Sequence, residues 1–325
     1  MPRRIVVTGC AGRLGSMLTR GLLKHPLVRR VAGLDVRTPP PTPDPRFAYL
    51  PADVRDEPFL RSILEEEEAD TVFHLAFPAH EARGTVEGRS TAVTGGVAVL
   101  DAAHRSSRVS KLVLASSAFA YGARSGNRPF LKEDHPLRAR PSEWGGWHRE
   151  FELEVARLLP EIRPSLQVCI LRLAPVLDAA GGGGGPLRGW LDSTLGLTLL
   201  RDCPLQFLSE ADLERVFLKI LEAPEARGVF NVAPDDATTV KTVVRRLKSR
   251  RLALPYPLAW AAAAAAGRWR PESGLDGGLA AALAFPVVLD NAKIKRVLGA
   301  RFDTSSEEAL ASRPARTMTP PRAIC

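Results

Sequence analysis

The sequence predicts a doubly wound α/β fold, a parallel sheet with helices on both faces, followed by a smaller and mainly helical second lobe. Three observations predict it. Short β-rich apolar runs alternate with longer helix-periodic segments through the first half of the chain, the pattern of successive strand–helix–strand units. The first run is followed at once by a glycine-spaced turn, T8-G9-C10-A11-G12-R13-L14-G15, that opens a helix. A lone aspartate, Asp35, stands 20 residues beyond Gly15, where the second run ends.

Strands are expected at 4–8, 31–35, 47–50, 71–76, 111–116 and 167–173. Leu14, Leu18, Leu22 and Leu23 share one helical face after the first strand, and Val97, Leu100, Asp101 and His104 mark a second periodic stretch with a partly polar stripe. The tract TPPPTPDP at 38–45 holds neither a helix nor a central strand, so the second strand has to run into an extended surface loop. The consecutive glutamates at 65–68 read as a solvated helix end and are assigned no chemistry. Beyond Leu173 the alternation degrades. A glycine run at 181–185 suits a connector, 204–222 reads as strand and helix, and 228–233 as one more strand. The segment 238–310 is mostly helical in pattern, broken at Pro255, Pro257 and Pro271, and the alanine run 261–266 is most simply a close-packed helix.

Of the 325 residues, 45% are hydrophobic and 25% charged, which removes disordered, collagenous and coiled-coil readings. No run approaches the ~18 to 20 apolar residues of a membrane span. The N-terminus passes from two arginines straight into a strand, with no room for a secretory apolar region, so a soluble, cytoplasmic chain is expected. Cys10, Cys169, Cys203 and Cys325 have neither metal-site spacing nor scaffold density and read as reduced thiols, with no metal expected. The net charge of +9 would suit a polyanion, but the excess is arginine scattered along the chain. Its densest run, RRLKSRR at 245–251, lacks aromatics for base stacking and reads as the wet end of a helix, so nucleic acid is a disfavoured partner.

The glycine turn carries the clearest chemistry. Gly9 permits the tight turn, Gly12 lets backbone amides approach a pyrophosphate, and Gly15 allows close helix packing, while the helix N-terminus favours negative charge. Asp35 at the end of the second strand can accept hydrogen bonds from ribose hydroxyls and repels a 2′-phosphate. The reading favours NAD over NADP. Arg13 and Arg37 lie near enough in sequence to blunt that preference, so NADP stays open.

At this point the chain resembles the extended short-chain dehydrogenase/reductases, the NAD-dependent epimerase/dehydratase family. The family's TGxxGxxG is Thr8 to Gly15, and its aspartate near the adenine looks like Asp53, followed by Val54, in P51-A52-D53-V54-R55-D56. Its fourth-strand motif looks like H74-L75-A76-F77, and G95-G96-V97-A98-V99-L100-D101-A102-A103 is similar to its GTxNxLxAA helix, without the asparagine often found before it. S116-S117-A118-F119-A120-Y121-G122 is similar to SSxxxYG. Two later segments, Q206 to L213 and G228 to A233, resemble QFxHxxDL and GxxNVA. The resemblance implies a Rossmann domain at 1–175 that binds NAD(P) through Thr8, Gly9, Gly12, Arg13, Leu14, Gly15, Asp35, Asp53, Val54, Leu75 and Ala76, with 205–235 returning to it. A small substrate lobe is implied at 176–204 and 236–312, with a tail at 313–325 expected to lack order. It further implies a small-molecule substrate, a nucleotide sugar or other hydroxylated compound, and a homodimer through helices near 93–105 and 144–159.

The departure lies in the catalytic pair. The family uses YxxxK, but the three tyrosines here, Tyr49, Tyr121 and Tyr256, are followed four residues on by Asp53, Ser125 and Trp260. Two registers suit W144-G145-G146-W147-H148-R149-E150-F151-E152. Matching the helix end puts His148 and Glu152 in the tyrosine and lysine places; matching the glycine after tyrosine puts Trp144 and His148 there. The first is preferred. An imidazole can act as a base without the lysine that a tyrosine requires, so His148 is the candidate base, Glu152 its orienting carboxylate and Ser117 the hydroxyl that holds the substrate oxygen. The bland alternatives are a packing histidine and a turn-capping serine. Tyr121 is expected to be cofactor-adjacent or structural, and His74 either to lie beside the nicotinamide half or to be simply hydrogen-bonded. Two functions follow: an atypical oxidoreductase, or a catalytically silent NAD-binding sensor or structural subunit.

Overall fold

The structure is a computed structural model that describes residues 2–78, 85–177, 187–192, 195–247, 250–269 and 276–312. Seven parallel strands form the central sheet: β1 (Arg3–Thr8), β2 (Val28–Asp35), β3 (Phe47–Pro51), β4 (Thr71–His74), β5 (Lys111–Ser117), β6 (Gln167–Leu173) and β7 (Gly228–Val232). Their spatial order is β3-β2-β1-β4-β5-β6-β7, so the winding reverses between β1 and β4. β5 and β6 are buried along nearly their whole length because helices cover both faces of the sheet. β4 stops two residues short of the expected end. There the glycine turn after β1 comes so close that a Cβ on Gly9 would stand 2.7 Å from the Ala76 amide nitrogen, so Leu75 and Ala76 form a floor for that turn.

On one face of the sheet lie α1 (Arg13–Lys24) and α5 (Glu210–Glu222); on the other lie α2 (Glu57–Glu66), α3 (Gly95–Arg105) and α4 (Gly146–Leu158). Leu18 and Leu22 of α1 and Val216, Phe217 and Ile220 of α5 cover Ile5, Val7 and Phe73, with Phe73 and Phe217 edge to face at 5.7 Å. Ile63, Leu64, Leu100, Phe151 and Val155 cover Val6, Val72, Leu112 and Leu114 opposite. Each such side chain contributes about 1.5–3 kcal/mol on burial.

A third cluster gathers Trp190, Phe207, Val240, Val243, Leu279, Leu283 and Leu310, around α6 (Val240–Leu247), α7 (Tyr256–Trp269) and α8 (Gly277–Ala284). Buried polar groups join it to the sheet: Asp212 accepts the Asp303 and Thr304 amides at 3.1 and 3.2 Å, and Gln206 accepts the Leu289 amide at 2.7 Å.

Three expectations fail in this region. A strand at Arg250–Leu254 pairs in parallel with one at Leu195–Leu199, inside a segment whose pattern reads as helical. The RRLKSRR run is consequently not one helix end, since α6 closes at Leu247 and Arg250 and Arg251 open that strand. The alanine helix is packed on one side only: Ala259 and Ala263 are buried, whereas Ala261, Ala262 and Ala265 face solvent. The glycine run at 181–185 and the tail at 313–325 lie outside the described residues.

Candidate active site

At the switch between β1 and β4 the backbone forms a cradle. Gly9 has φ +76°, and a Cβ on Gly15 would overlap the Gly9 carbonyl, so α1 reaches the turn only because no side chain stands there. The N-cap of α1 is Gly12, which has no side chain to cap the first helical turn. Uncapped amides at a helix N-terminus, beside a turn that no side chain fills, fit a dinucleotide pyrophosphate.

Asp35 ends β2 and is 8% exposed. One of its oxygens accepts the Ala11 amide and the other the Arg37 amide, both at 3.0 Å, which locks the carboxylate beneath the glycine turn. The two neighbouring arginines divide. Arg37 is 71% exposed at the side chain, its guanidinium 3.7 Å from Asp35. Arg13 instead bonds Glu210 at 2.5 Å and the Val176 carbonyl at 3.2 Å, a pairing across the chain that its sequence position does not reveal. Asp53 follows β3 and is engaged by Arg55, with its carboxyl held below the ordinary range by that bond. The Val54 side chain is core, and Leu14 is partly buried against the first cluster. Thr8 is also turned inward, its hydroxyl 2.8 Å from His74 Nδ1.

Ser117 closes β5, and its Oγ accepts the Phe119 amide at 3.2 Å, the turn-capping role; its own proton is not used in that bond. The start of α4 presses on the same turn. Gly145 leaves no room for a Cβ against the Phe119 carbonyl, and the Trp144 ring meets Phe119 edge-on at 5.4 Å. His148, in the first turn of α4, stacks on Phe77 at 4.3 Å, and Phe77 also touches the rings of His74 and Phe151. His148 Nδ1 and His74 Nε2 are both buried without a hydrogen-bond partner. Burial pushes each imidazole down to about 4, so both are neutral at ordinary pH.

Glu152 does not orient His148. It is 3% exposed and turned to the sheet, where it accepts Ser116 Oγ at 2.5 Å and a two-pronged bond from Arg172 at 2.7 and 2.9 Å. Arg172 also donates to Tyr121 Oη at 2.7 Å, and Tyr121 donates to Asn231 Oδ1 at 2.9 Å. Tyr121 is fully buried and structural. A helix turn separates residues 148 and 152 by one pitch but does not decide what else competes for the carboxylate, and a buried guanidinium outcompetes a neutral imidazole. The sequence signal for this network was an arginine inside the otherwise apolar strand QVCILRL.

Residues 5–173 match the model of the NAD dependent epimerase/dehydratase family, slightly over half of the chain. The chain belongs to that family. An uncharacterized protein of Mycobacterium tuberculosis is 30% identical over 267 residues, 79% of this chain and 68% of its own length. Among solved structures, the UDP-Glc/GlcNAc 4-epimerase of Campylobacter jejuni superposes with a TM-score of 0.73 at 19% identity, covering 95% of this chain and 96% of its own. The UDP-glucose 4-epimerase of Thermotoga maritima, solved with UDP-glucose, gives 0.69 at 20% identity, covering 94% and 96%. The dTDP-glucose 4,6-dehydratase of Bacillus anthracis, solved with NAD, gives 0.69 at 16%, covering 95% and 94%. At these identities the likeness is one of fold, and this family member shares the epimerase architecture over nearly its whole length.

Two predictions follow from the buried groups. Glu152→Gln and Arg172→Met should each lower stability by about 3–5 kcal/mol in urea unfolding, because each strands the partner's charge in the core, and the double variant should lose less than the sum. Independent additive losses would mean that the pair is not coupled. Protonating the unfolded chain near pH 6.5 while His74 resists until about 4 makes stability fall as pH drops through that window, by about 3 kcal/mol for this group. The urea midpoint should therefore decline from pH 7 to pH 4.5, and less steeply in His74→Gln; equal slopes in the two proteins would contradict a neutral buried imidazole.

Proposed function

We propose that this family member binds NAD across the β1/β4 switch and performs an atypical oxidoreductase step on a hydroxylated small molecule of the nucleotide-sugar class. The observation that carries this reading is the side-chain-free contact of Gly9 and Gly15, which sets the start of α1, with no side-chain cap, close to Asp35. The nucleotide-sugar class is carried over from the Thermotoga and Campylobacter epimerases, and NAD from the family and the Bacillus dehydratase.

The first turn of α1 would hold the pyrophosphate, and the lone pairs of Asp35 not used by the Ala11 and Arg37 amides would accept the adenosine ribose hydroxyls. Asp35 favours NAD over NADP; Arg37 opposes that preference, whereas Arg13 is engaged by Glu210. NAD bound there supplies a hydride acceptor, and in its reduced form a hydride donor. Ser117 Oγ donates its unused proton to the substrate oxygen. His148 takes the proton of the substrate hydroxyl: its Nδ1 is sealed, which leaves Nε2 as the nitrogen able to meet substrate. In the register that makes His148 the base, Glu152 stands where the family has its lysine, so proton removal relies on a weak neutral base and turnover is slow.

Calorimetric titration with NAD⁺, NADH, NADP⁺ and NADPH tests the cofactor site. The NAD pair should bind more tightly than the NADP pair, and Gly15→Val should reduce affinity at least about a hundredfold, because its side chain would occupy the turn. No binding by any of the four would sink the proposal. Given turnover of a nucleotide sugar, followed by nicotinamide absorbance, Ser117→Ala and His148→Phe should each lower kcat by about 10²–10⁴-fold. The wild-type rate should hold level from pH 8 to pH 5 and fall only as His148 charges near 4. A limb near 6.5 that survives His148→Phe would assign the proton to another group.

A further inference from the structure

Basic residues are spread along the whole chain, but acidic ones are not. Residues 237–271 hold eight Lys or Arg and no Asp or Glu, in a protein whose net charge is +9. On α6, Lys241, Arg245 and Arg246 are exposed, and Arg268 is exposed at the end of α7. α7 itself is inverted relative to an ordinary surface helix, which turns its apolar stripe inward. It buries only Ala259 and Ala263, while Leu258, Ala261, Ala262, Ala265 and Trp269, at helical spacing, form one exposed stripe. Leu258 is 59% exposed and Trp269 86%, and Leu252 in the preceding strand adds 62%. No polar side chain interrupts the stripe, and Arg268 borders it.

We propose that α7 and its basic flank dock on an anionic lipid surface. The helix lies in the plane of the interface, Leu258 and Trp269 enter the acyl boundary, and the exposed Lys and Arg side chains meet lipid phosphates. No helix among the described residues is long and apolar enough to cross a bilayer, so the association is peripheral. Charge decides the occupant. A second copy of the chain would bring a like-signed region against this one, which opposes pairing. A nucleic acid would meet the arginines but leave the Leu258 and alanine stripe without a partner, since neither stacks on bases.

The test is co-sedimentation of the full chain with phosphatidylcholine vesicles, with and without phosphatidylglycerol, at low and high salt. Binding should require phosphatidylglycerol and weaken with salt. Arg245→Ala/Arg246→Ala should lower partitioning about thirtyfold, and Leu258→Ser/Trp269→Ala about tenfold or more, with far-UV circular dichroism unchanged in both because all four side chains face solvent. Absence of sedimentation with either vesicle would overturn the proposal. So would undiminished binding by Leu258→Ser/Trp269→Ala, which would reduce it to charge attraction alone. A doubled mass by light scattering that this same variant abolishes would assign the stripe to a second copy, and displacement from vesicles by duplex DNA at equal phosphate would assign the arginines to nucleic acid; either result overturns the lipid assignment.

Discussion

The approach of α1 to the turn that follows β1 is the constraint on which the candidate site depends. Two missing side chains, at Gly9 and Gly15, let the helix end descend onto the backbone of that turn, and a third at Gly12 leaves the helix uncapped. The descent has consequences on both sides. The turn rests on Leu75 and Ala76, which ends β4 early, and its Ala11 amide captures Asp35. One local packing requirement thus sets the positions of a helix dipole, the Asp35 carboxylate and the segment that leads to Phe77.

The other half of the site is governed by desolvation. The family's pattern carries a tyrosine with a cationic lysine; the corresponding helix of this chain instead presents aromatic surface and, with His74 of β4, two imidazoles that burial holds neutral until about pH 4. The charges that α4 does carry inward are spent on structure, because Glu152 finds Arg172 and Ser116 before any partner in the cleft. The result is a glycine cradle of conventional form beside a region of low polarity around Phe77, His74 and His148.

The second lobe shows the same segregation at its surface. Its inner side is an ordinary apolar cluster around Trp190 and Phe207, anchored to the sheet by Asp212 and Gln206. Its outer side couples an apolar helix stripe to an acid-free basic stretch, a distribution that folding alone does not require, since burying Ala259 and Ala263 satisfies the packing of α7 against α8. A surface that is costly in water and unnecessary to the core is one shaped for contact.

Alternating apolar runs and the glycine turn determined the sheet, its winding and the nucleotide end of the site, because those features depend on residues close together in the chain and on backbone sterics. The partners of charged side chains were decided by the tertiary structure. Arg13 meets Glu210 across 197 positions, and Glu152 meets Arg172 across 20, so helical spacing from His148 said nothing of the competitor waiting on β6. The parallel pairing of Leu195–Leu199 with Arg250–Leu254 was equally illegible, because a short strand paired at long range leaves no local periodicity to read. Exposure followed the same rule. A run of alanines specifies a helix by propensity, but which of its faces meets the core depends on the neighbours that fold against it.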